Sequence, residues 1–79
     1  MLRQLGGKDV LRALASFGFH IISTRGSHVK LRRILASGER QTLIVPMHKQ
    51  LAPGTVRAIF RQASRYIPEQ DLRPWFFSK

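Results

Sequence analysis

A histidine that follows a tight turn stands among basic residues in the first half of the chain. The turn is the run Arg25-Gly26-Ser27-His28, and Lys30 and Arg32 follow it. Histidine exchanges protons near neutral pH, and Lys or Arg can stabilise the negative charge of a phosphorane. The group therefore suits phosphodiester chemistry at His28. The residues alone leave open the alternative of a surface histidine that only closes a hairpin.

Two further histidines and one serine are weaker candidates. His48 closes the segment Val45-Pro46-Met47-His48, where it fits either a second proton-transfer group or a brace that hydrogen-bonds the loop backbone. Ser27 could bind a phosphate, although serine in a turn usually bonds its own backbone. We expect His20 to be structural, on the core-facing side of the sheet opposite Arg33.

The acidic residues are too few and too scattered for several kinds of enzyme site. They stand at positions 9, 39, 69 and 71, so no carboxylate pair is placed for glycoside hydrolysis or two-metal phosphoryl transfer. There is no HExxH motif and no Cys/His ligand spacing, and the glycines match no Walker or dinucleotide-binding pattern. We expect neither a bound metal nor a nucleotide cofactor.

Charge and length bound the class of partner. The chain has 79 residues, with 14 Lys and Arg against 4 Asp and Glu, for a net charge of +10. All of that excess falls before residue 67, and it indicates a polyanionic partner. The absence of cysteine fits a reducing compartment, and no apolar run has the length of a signal peptide or a membrane span. The expectation is a cytoplasmic protein that does not bind membranes.

Two local patterns predict the first elements. Apolar residues at helical spacing predict a helix over Lys8 to Phe17, with Gly18 as its left-handed end. A β-branched and aromatic run from Phe19 then predicts a strand that turns back at Gly26-Ser27 in a type II′ hairpin. The pairs implied are Arg25 with His28, Ser23 with Lys30 and Ile21 with Arg32.

This register sorts the hairpin side chains by polarity. The polar face, expected to meet water or a ligand, carries Ser23, Arg25, His28, Lys30 and Arg32. The opposite face, expected to meet the core, carries Ile22, Val29, Leu31 and Leu35. Phe19 and Ile21 are apolar exceptions at the far end of the polar face.

A third strand is predicted over Arg40 to Met47. It follows a three-residue loop with Gly38 in the left-handed conformation, and Pro46 ends its pairing. In this register Leu31 pairs with Leu43 and Val29 with Val45.

The second half of the chain predicts another helix that carries a basic row. Pro53 and Gly54 open this helix, which buries Val56, Ile59, Phe60 and Ala63. Its outer side carries Arg57, Arg61 and Arg65 at positions i, i+4 and i+8. Like charges at this spacing repel by roughly a few tenths of a kcal/mol per pair. The row is either a site for a polyanion or a solvated helix face.

The tail, residues 67–79, carries no net charge and is rich in aromatic residues. Pro68, at a first helical position, is followed by Glu69 and Asp71 and predicts a short third helix. We expect the aromatic residues Trp75, Phe76 and Phe77 to pack onto the domain, with a partner interface as the alternative. The whole is an α+β fold of order α-β-β-β-α with a three-stranded antiparallel sheet. We expect residues 1–79 to form one domain, with 7–66 as its core.

Several short motifs occur in a characteristic order. They are Gly7-Lys8-Asp9-Val10, Gly18-Phe19, Arg25-Gly26-Ser27-His28, Val45-Pro46-Met47-His48, Pro53-Gly54-Thr55-Val56-Arg57 with Ile59, and Arg61-Gln62-Ala63. At these spacings the chain resembles, up to about Tyr66, the HicA (YcfA-like) toxins of bacterial and archaeal type II toxin–antitoxin systems.

The resemblance implies a double-stranded-RNA-binding-domain-like fold, whose element order agrees with the one above. It also implies an mRNA interferase, an endoribonuclease that arrests growth until a HicB-like antitoxin covers its active site. His28 matches the catalytic histidine of the family, and Gly26 permits the turn. We expect a metal-independent reaction in which Arg25, Ser27, Lys30, Arg32 and His48 support RNA binding, with Arg57, Arg61 and Arg65 as a secondary row.

Two other functions remain alternatives. One is a non-catalytic RNA-binding module that uses the row of Arg57, Arg61 and Arg65. The other is a basic protein whose charge serves only to bind an acidic protein partner.

Overall fold

The computed structural model describes residues 1–78, so the expectation for Lys79 lies outside the described residues. An α-helix comes first, a three-stranded antiparallel sheet of order β1-β2-β3 follows, and two helices complete the fold. The predicted α+β class and element order, including the short third helix, are confirmed. The elements are α1 (Gly7–Ser16), β1 (His20–Arg25), β2 (His28–Ile34), β3 (Arg40–Pro46), α2 (Pro53–Ala63) and α3 (Glu69–Phe76).

The core forms where the helices meet the sheet. Helices α1 and α2 contact β3, and α3 contacts both helices. Burying each apolar side chain stabilises the fold by about 1.5–3 kcal/mol, so this cluster supplies the main stabilisation of the chain. Among its most deeply buried members are Val10, Leu14, Phe19, Leu31, Val45, Val56, Ile67, Leu72 and Phe76. In the part of the chain described, no helix is long and apolar enough to cross a membrane.

Glycines and one carboxylate set the ends of α1. Gly6 precedes the helix, and its N–H donates to Oδ2 of Asp9 at 2.8 Å, which satisfies one free donor at the start. Gly18 lies beyond the other end with φ +92°. The observed helix begins and ends one residue earlier than the predicted range, because Gly6 caps its start and Phe17 its end.

The pairing near the turn and between β2 and β3 agrees with the sequence. Arg25 pairs with His28 and Ser23 with Lys30, while Leu31 pairs with Leu43 and Val29 with Val45. The loop before β3 is closed by the N–H of Leu35, which donates to the carbonyl of Glu39 at 2.9 Å, with Gly38 at φ +91°. These predictions are confirmed.

The far end of the β1–β2 hairpin differs from the prediction. The register shifts between Ile21 and Ser23, so Ile21 pairs with Leu31 and the predicted pair of Ile21 with Arg32 is wrong. The extra residue, Ile22, is 44% exposed, so its predicted place on the core face is also wrong. A β-bulge of this kind adds one residue to one strand and reverses the facing of what lies beyond it. It brings Ile21 alongside Phe19 and Leu31.

Strand β1 is an edge strand with every residue exposed. His20, expected on the core-facing side opposite Arg33, instead pairs with Arg32 and is exposed, so that expectation is wrong. The bulge is again the reason. Phe19, which precedes the strand, is fully buried, and its ring centroid lies 6.3 Å from that of Tyr66.

The tail packs into the same core. Phe76 is fully buried, and its ring meets that of Phe60 edge-on at a centroid distance of 5.4 Å. Phe77 is partly buried and pairs with Leu2 in an isolated antiparallel bridge, which brings the two ends of the chain together. Trp75 is 38% exposed, so the packing expected of all three aromatic residues holds least well for it. Pro68 lies just before α3 and not at its first residue.

Candidate active site

The turn between β1 and β2 is built on Gly26. Its φ is +57°, and no non-glycine residue among residues 1–78 has a positive φ, which is the pattern of the predicted type II′ turn. A Cβ on Gly26 would have no atom within 4 Å, so conformation alone requires glycine here. The carbonyl of Ser27 accepts the N–H of Met47, which ties the turn to the end of β3.

His28 is the first residue of β2 and lies exposed on the outer face of the sheet, opposite the helices. It borders a groove on that face, here called the sheet groove. Arg25 and Lys30 also line this groove, so the register that the turn imposes brings both cations beside the imidazole. The sheet groove is lined by Ser23, Thr24, Arg25, His28, Lys30 and Ile44.

A second groove, here called the helix groove, runs between the outer face of β3 and one side of α2. His28 and Ile44 line both grooves, so the histidine lies where the two meet. The strand side of the helix groove consists of Thr42, Ile44 and Pro46. The helix side consists of Thr55, Ala58, Ile59, Gln62 and Arg65. The sequence reasoning did not identify the four polar or small residues Thr42, Thr55, Ala58 and Gln62 as part of a site.

The two grooves are uniformly positive in charge. Arg25 and Lys30 make no ion pair within residues 1–78, where the two salt bridges are Arg12 with Asp9 and Arg73 with Glu69. No acidic side chain of the described chain lines either groove. Unpaired cations beside an exposed histidine favour binding of an anion such as a phosphodiester.

Arg32 is held on the same outer face by its cross-strand neighbour. It pairs with Thr42 of β3, and its Nε donates to Oγ1 of Thr42 at 3.3 Å. The hydrogen bond directs the guanidinium toward the strand side of the helix groove. Arg32 is therefore positioned near the grooves but less freely than Arg25.

The three arginines of the predicted basic row do not all line the same groove. Arg57, Arg61 and Arg65 are all exposed, but only Arg65 of the three lines the helix groove in the described structure. The helix side of that groove follows the spacing of Thr55, Ala58 and Gln62, which is a neighbouring face of α2. Arg65 lies in the turn just past Ala63, the last residue of the helix. Helical spacing predicted the row, but the packing of α2 against β3 determines which member faces His28.

His48 lies beside the start of α1 and lines a different pocket from His28. Its carbonyl oxygen accepts the N–H of Gly7 at 2.9 Å, and its side chain borders a separate pocket with Gly6, Asp9 and Lys49. A Cβ on Gly7 would approach the carbonyl oxygen of Pro46 to 2.6 Å, so this glycine permits the close packing. The segment after β3 is thus braced through the His48 backbone, and its imidazole lines neither groove.

Arg33 is a cation whose role the sequence reasoning missed. Its Nη1 donates to the carbonyl of Phe17 at 3.1 Å and its Nη2 to that of Tyr66 at 2.8 Å. Its guanidinium also lies 4.9 Å from the centre of the Phe19 ring. The available signal was strand alternation, because Arg33 shares the inward side of β2 with Leu31. It is a structural arginine that joins α1, the sheet and the end of α2.

The titratable side chains form no metal site in the described part of the chain, where no three His, Asp or Glu side chains come together as ligands. The functional groups available around His28 are therefore an imidazole, guanidinium and ammonium groups, hydroxyls and one amide. Such a set can bind a phosphodiester and move a proton.

The comparison with protein families agrees with the geometry. No curated protein and no solved structure matches the chain significantly. A family model described as the HicA toxin of bacterial toxin–antitoxin systems matches residues 7–64. The matched range runs from the start of α1 to just past α2 and contains every residue of both grooves except Arg65. The resemblance found in the sequence is thereby confirmed, and the chain belongs to the HicA toxin family of bacterial toxin–antitoxin systems.

Proposed function

We propose that this toxin is an mRNA interferase, an endoribonuclease that cleaves mRNA in the cytoplasm and arrests growth. The observation that carries the proposal is the position of His28, exposed at the junction of two grooves that contain cations and no carboxylate. Histidine exchanges protons at neutral pH, and RNA supplies its own nucleophile in the 2′-hydroxyl. Membership of a toxin family gives such an activity its biological role.

The proposed reaction is an internal transesterification. The 2′-oxygen attacks the adjacent phosphorus and loses its proton, the bond from phosphorus to the 5′-oxygen breaks, and that oxygen takes up a proton. His28 carries out one of the two proton transfers. Arg25 and Lys30 bind the phosphate and stabilise the phosphorane, with Arg32 supporting them. The products carry 2′,3′-cyclic phosphate and 5′-hydroxyl ends.

The reaction needs no metal ion, because the 2′-hydroxyl is the nucleophile and side-chain cations stabilise the charge. The donor set supports this part of the proposal, since the described residues near His28 are nitrogen cations and hydroxyls and include no carboxylate that would hold a divalent ion.

The natural inhibitor we propose is a HicB-like antitoxin. A toxin of this family implies an antitoxin partner. A protein that presents carboxylates to Arg25, Lys30 and Arg65 would compete with RNA for the same positive surface. Inhibition would then follow from covering His28, without a change in the fold of the toxin.

The decisive experiment compares cleavage of a labelled single-stranded RNA by the wild-type protein and by His28→Ala, each with and without EDTA. His20→Ala is the matched control, because His20 is also an exposed histidine of the hairpin but lines neither groove. We expect cleavage by the wild type and His20→Ala in EDTA and a loss of at least about a hundredfold for His28→Ala. Circular dichroism of the three proteins tests whether they share one fold.

Three results would overturn parts of the proposal. Equal cleavage by His28→Ala removes His28 from the reaction, and 5′-phosphate product ends refute the transesterification. Salt-sensitive binding of intact RNA by every variant, together with growth unaffected by expression, supports the non-catalytic RNA-binding module instead.

A further inference from the structure

The sheet groove and the helix groove meet at His28. Both are open to solvent, and Ile44 lines each of them beside the histidine. Cleavage of a nucleic acid strand requires binding on both sides of the phosphate that reacts. The two grooves provide this arrangement, one on each side of the imidazole.

The two grooves differ in chemistry. The sheet groove offers the cations Arg25 and Lys30 with small hydroxyls, which suit a phosphate backbone. The helix groove offers the side-chain amide of Gln62, which carries both hydrogen-bond donors and an acceptor. An amide of this kind can recognise the edge of a base, whereas a cation that binds a phosphate does not distinguish one base from another.

The Gln62 amide is free to bind a ligand, and its backbone is held by a packed helix. It is exposed, and the side-chain hydrogen bonds near it, from Ser64 to Phe60 and from Arg33 to Tyr66, do not involve its amide. The helix that carries it is anchored by Val56, Ile59 and Ala63, which are buried in the core. Arg65 lies three residues further on, in the turn just past the end of α2, and it lines the same groove, where its guanidinium can contact a phosphate beside the base.

We propose that single-stranded RNA occupies both grooves and that Gln62 selects the base of the nucleotide that the helix groove holds next to the reacting phosphate. Arg65 binds the backbone of that nucleotide without regard to its base. This inference rests on the proposed endoribonuclease function and adds the residue that determines cleavage-site preference. The substrate is single-stranded because a paired base has its edge occupied by its partner.

The test uses a short single-stranded RNA library of random sequence, with the cleavage sites identified by sequencing. The variants are Gln62→Leu and Arg65→Gln, and Gln70→Leu is the matched control because Gln70 is an exposed glutamine of α3 outside both grooves. We expect the wild type and Gln70→Leu to prefer one base at a position next to the cut. Gln62→Leu should reduce this preference about fivefold or more. Arg65→Gln should slow cleavage of all sequences alike.

A second measurement separates this inference from the proposed reaction. The His28→Ala protein is used to select bound RNA from the same library, which measures base preference without cleavage. The double variant His28→Ala/Gln62→Leu should show no base preference. If the wild type cleaves RNA but Gln62→Leu has the same base preference, the role of Gln62 is wrong and the nuclease proposal is unaffected. The same holds if the wild type cleaves RNA with no base preference at all. Equal cleavage of the library annealed to its complement overturns the single-stranded substrate. If no RNA is cleaved while the selection still depends on Gln62, the nuclease proposal fails and the recognition site stands.

Discussion

The guanidinium of Arg33 holds the amide oxygen of Gln41 with two hydrogen bonds, from Nη2 at 2.6 Å and from Nε at 2.9 Å. Gln41 is nearly fully buried, and its Nε2 in turn donates to Glu39 at 2.9 Å. The pair joins β2 to β3 on the side of the sheet that faces the helices. One of the basic residues of this chain therefore serves the fold and lines neither groove.

Replacement of Arg33 should destabilise the protein. Arg33→Met leaves the carbonyls of Phe17 and Tyr66 and the amide of Gln41 without their charged donor. We expect a loss of about 2–3 kcal/mol in the free energy of unfolding, measured by urea denaturation. Arg40→Met, at an exposed arginine of the neighbouring strand, should change it by less than about 0.5 kcal/mol. Equal midpoints for the two variants would contradict the structural role.

The junction of α1 with the segment after β3 should not tolerate a side chain at Gly7. A Cβ there would lie 2.6 Å from the carbonyl oxygen of Pro46 and 2.8 Å from Cα of Met47. Gly7→Ala should therefore cost about 1–3 kcal/mol of stability. Gly54→Ala is the matched control, because a Cβ on Gly54 meets nothing within 4 Å and the change should stabilise α2 by about 0.4–1 kcal/mol. Thermal unfolding measures both, and a neutral Gly7→Ala would refute the close packing.

The tail should be essential for stability. Phe76 is fully buried against Phe60, so Phe76→Ala should cost about 3–5 kcal/mol and Phe76→Leu, which keeps most of the volume, less than about 1.5 kcal/mol. Trp75→Ala, at the more exposed neighbour, should cost clearly less than Phe76→Ala. Urea unfolding of the three variants gives the order. If Phe76→Ala unfolds at the wild-type midpoint, the tail is not part of the core.

RNA binding should weaken with salt to an extent set by the cations near the grooves. Arg25, Lys30, Arg32 and Arg65 can each neutralise one phosphate, which predicts a slope of log K against log salt of about −3 for a single strand. Arg25→Gln should make the slope shallower by about 0.7, and Arg73→Gln, in the tail, should leave it unchanged. Fluorescence anisotropy with the His28→Ala protein measures this without cleavage. Identical slopes for the two arginine variants would place the phosphates elsewhere.

Short-range signals account for the part of the site that could be predicted from the sequence. Gly26 and Ser27 determine a two-residue turn, and a turn of that length sets the pairs nearest to it. His28, Arg25 and Lys30 therefore reach one face by local geometry alone. The prediction fails beyond Ser23, because nothing in the local sequence marks Ile22 as the extra residue of a bulge.

The helix groove depends on long-range packing and was not predictable in the same way. Helical periodicity identifies Val56, Ile59 and Ala63 as buried, but it does not say how α2 is rotated and shifted against β3. That rotation determines that Gln62 and Arg65 face His28, whereas Arg57 and Arg61 do not. A basic row was visible in the sequence, but the polar side chains that border the groove were not.

Residues near the two ends of the chain are hydrogen-bonded to each other. The N–H of Ser78 donates to the carbonyl of Met1 at 2.7 Å, and the amino group of Met1 donates to the carbonyl of Ser78 at 2.7 Å. A short linker could therefore close the backbone into a ring, and the exposed loop around Ser37 offers a place to open it. In such a circular permutant the β1–β2 hairpin and α2 would keep their places. What holds His28 between its two grooves is thus the packing of the elements, and the point at which the chain starts is of no consequence for it.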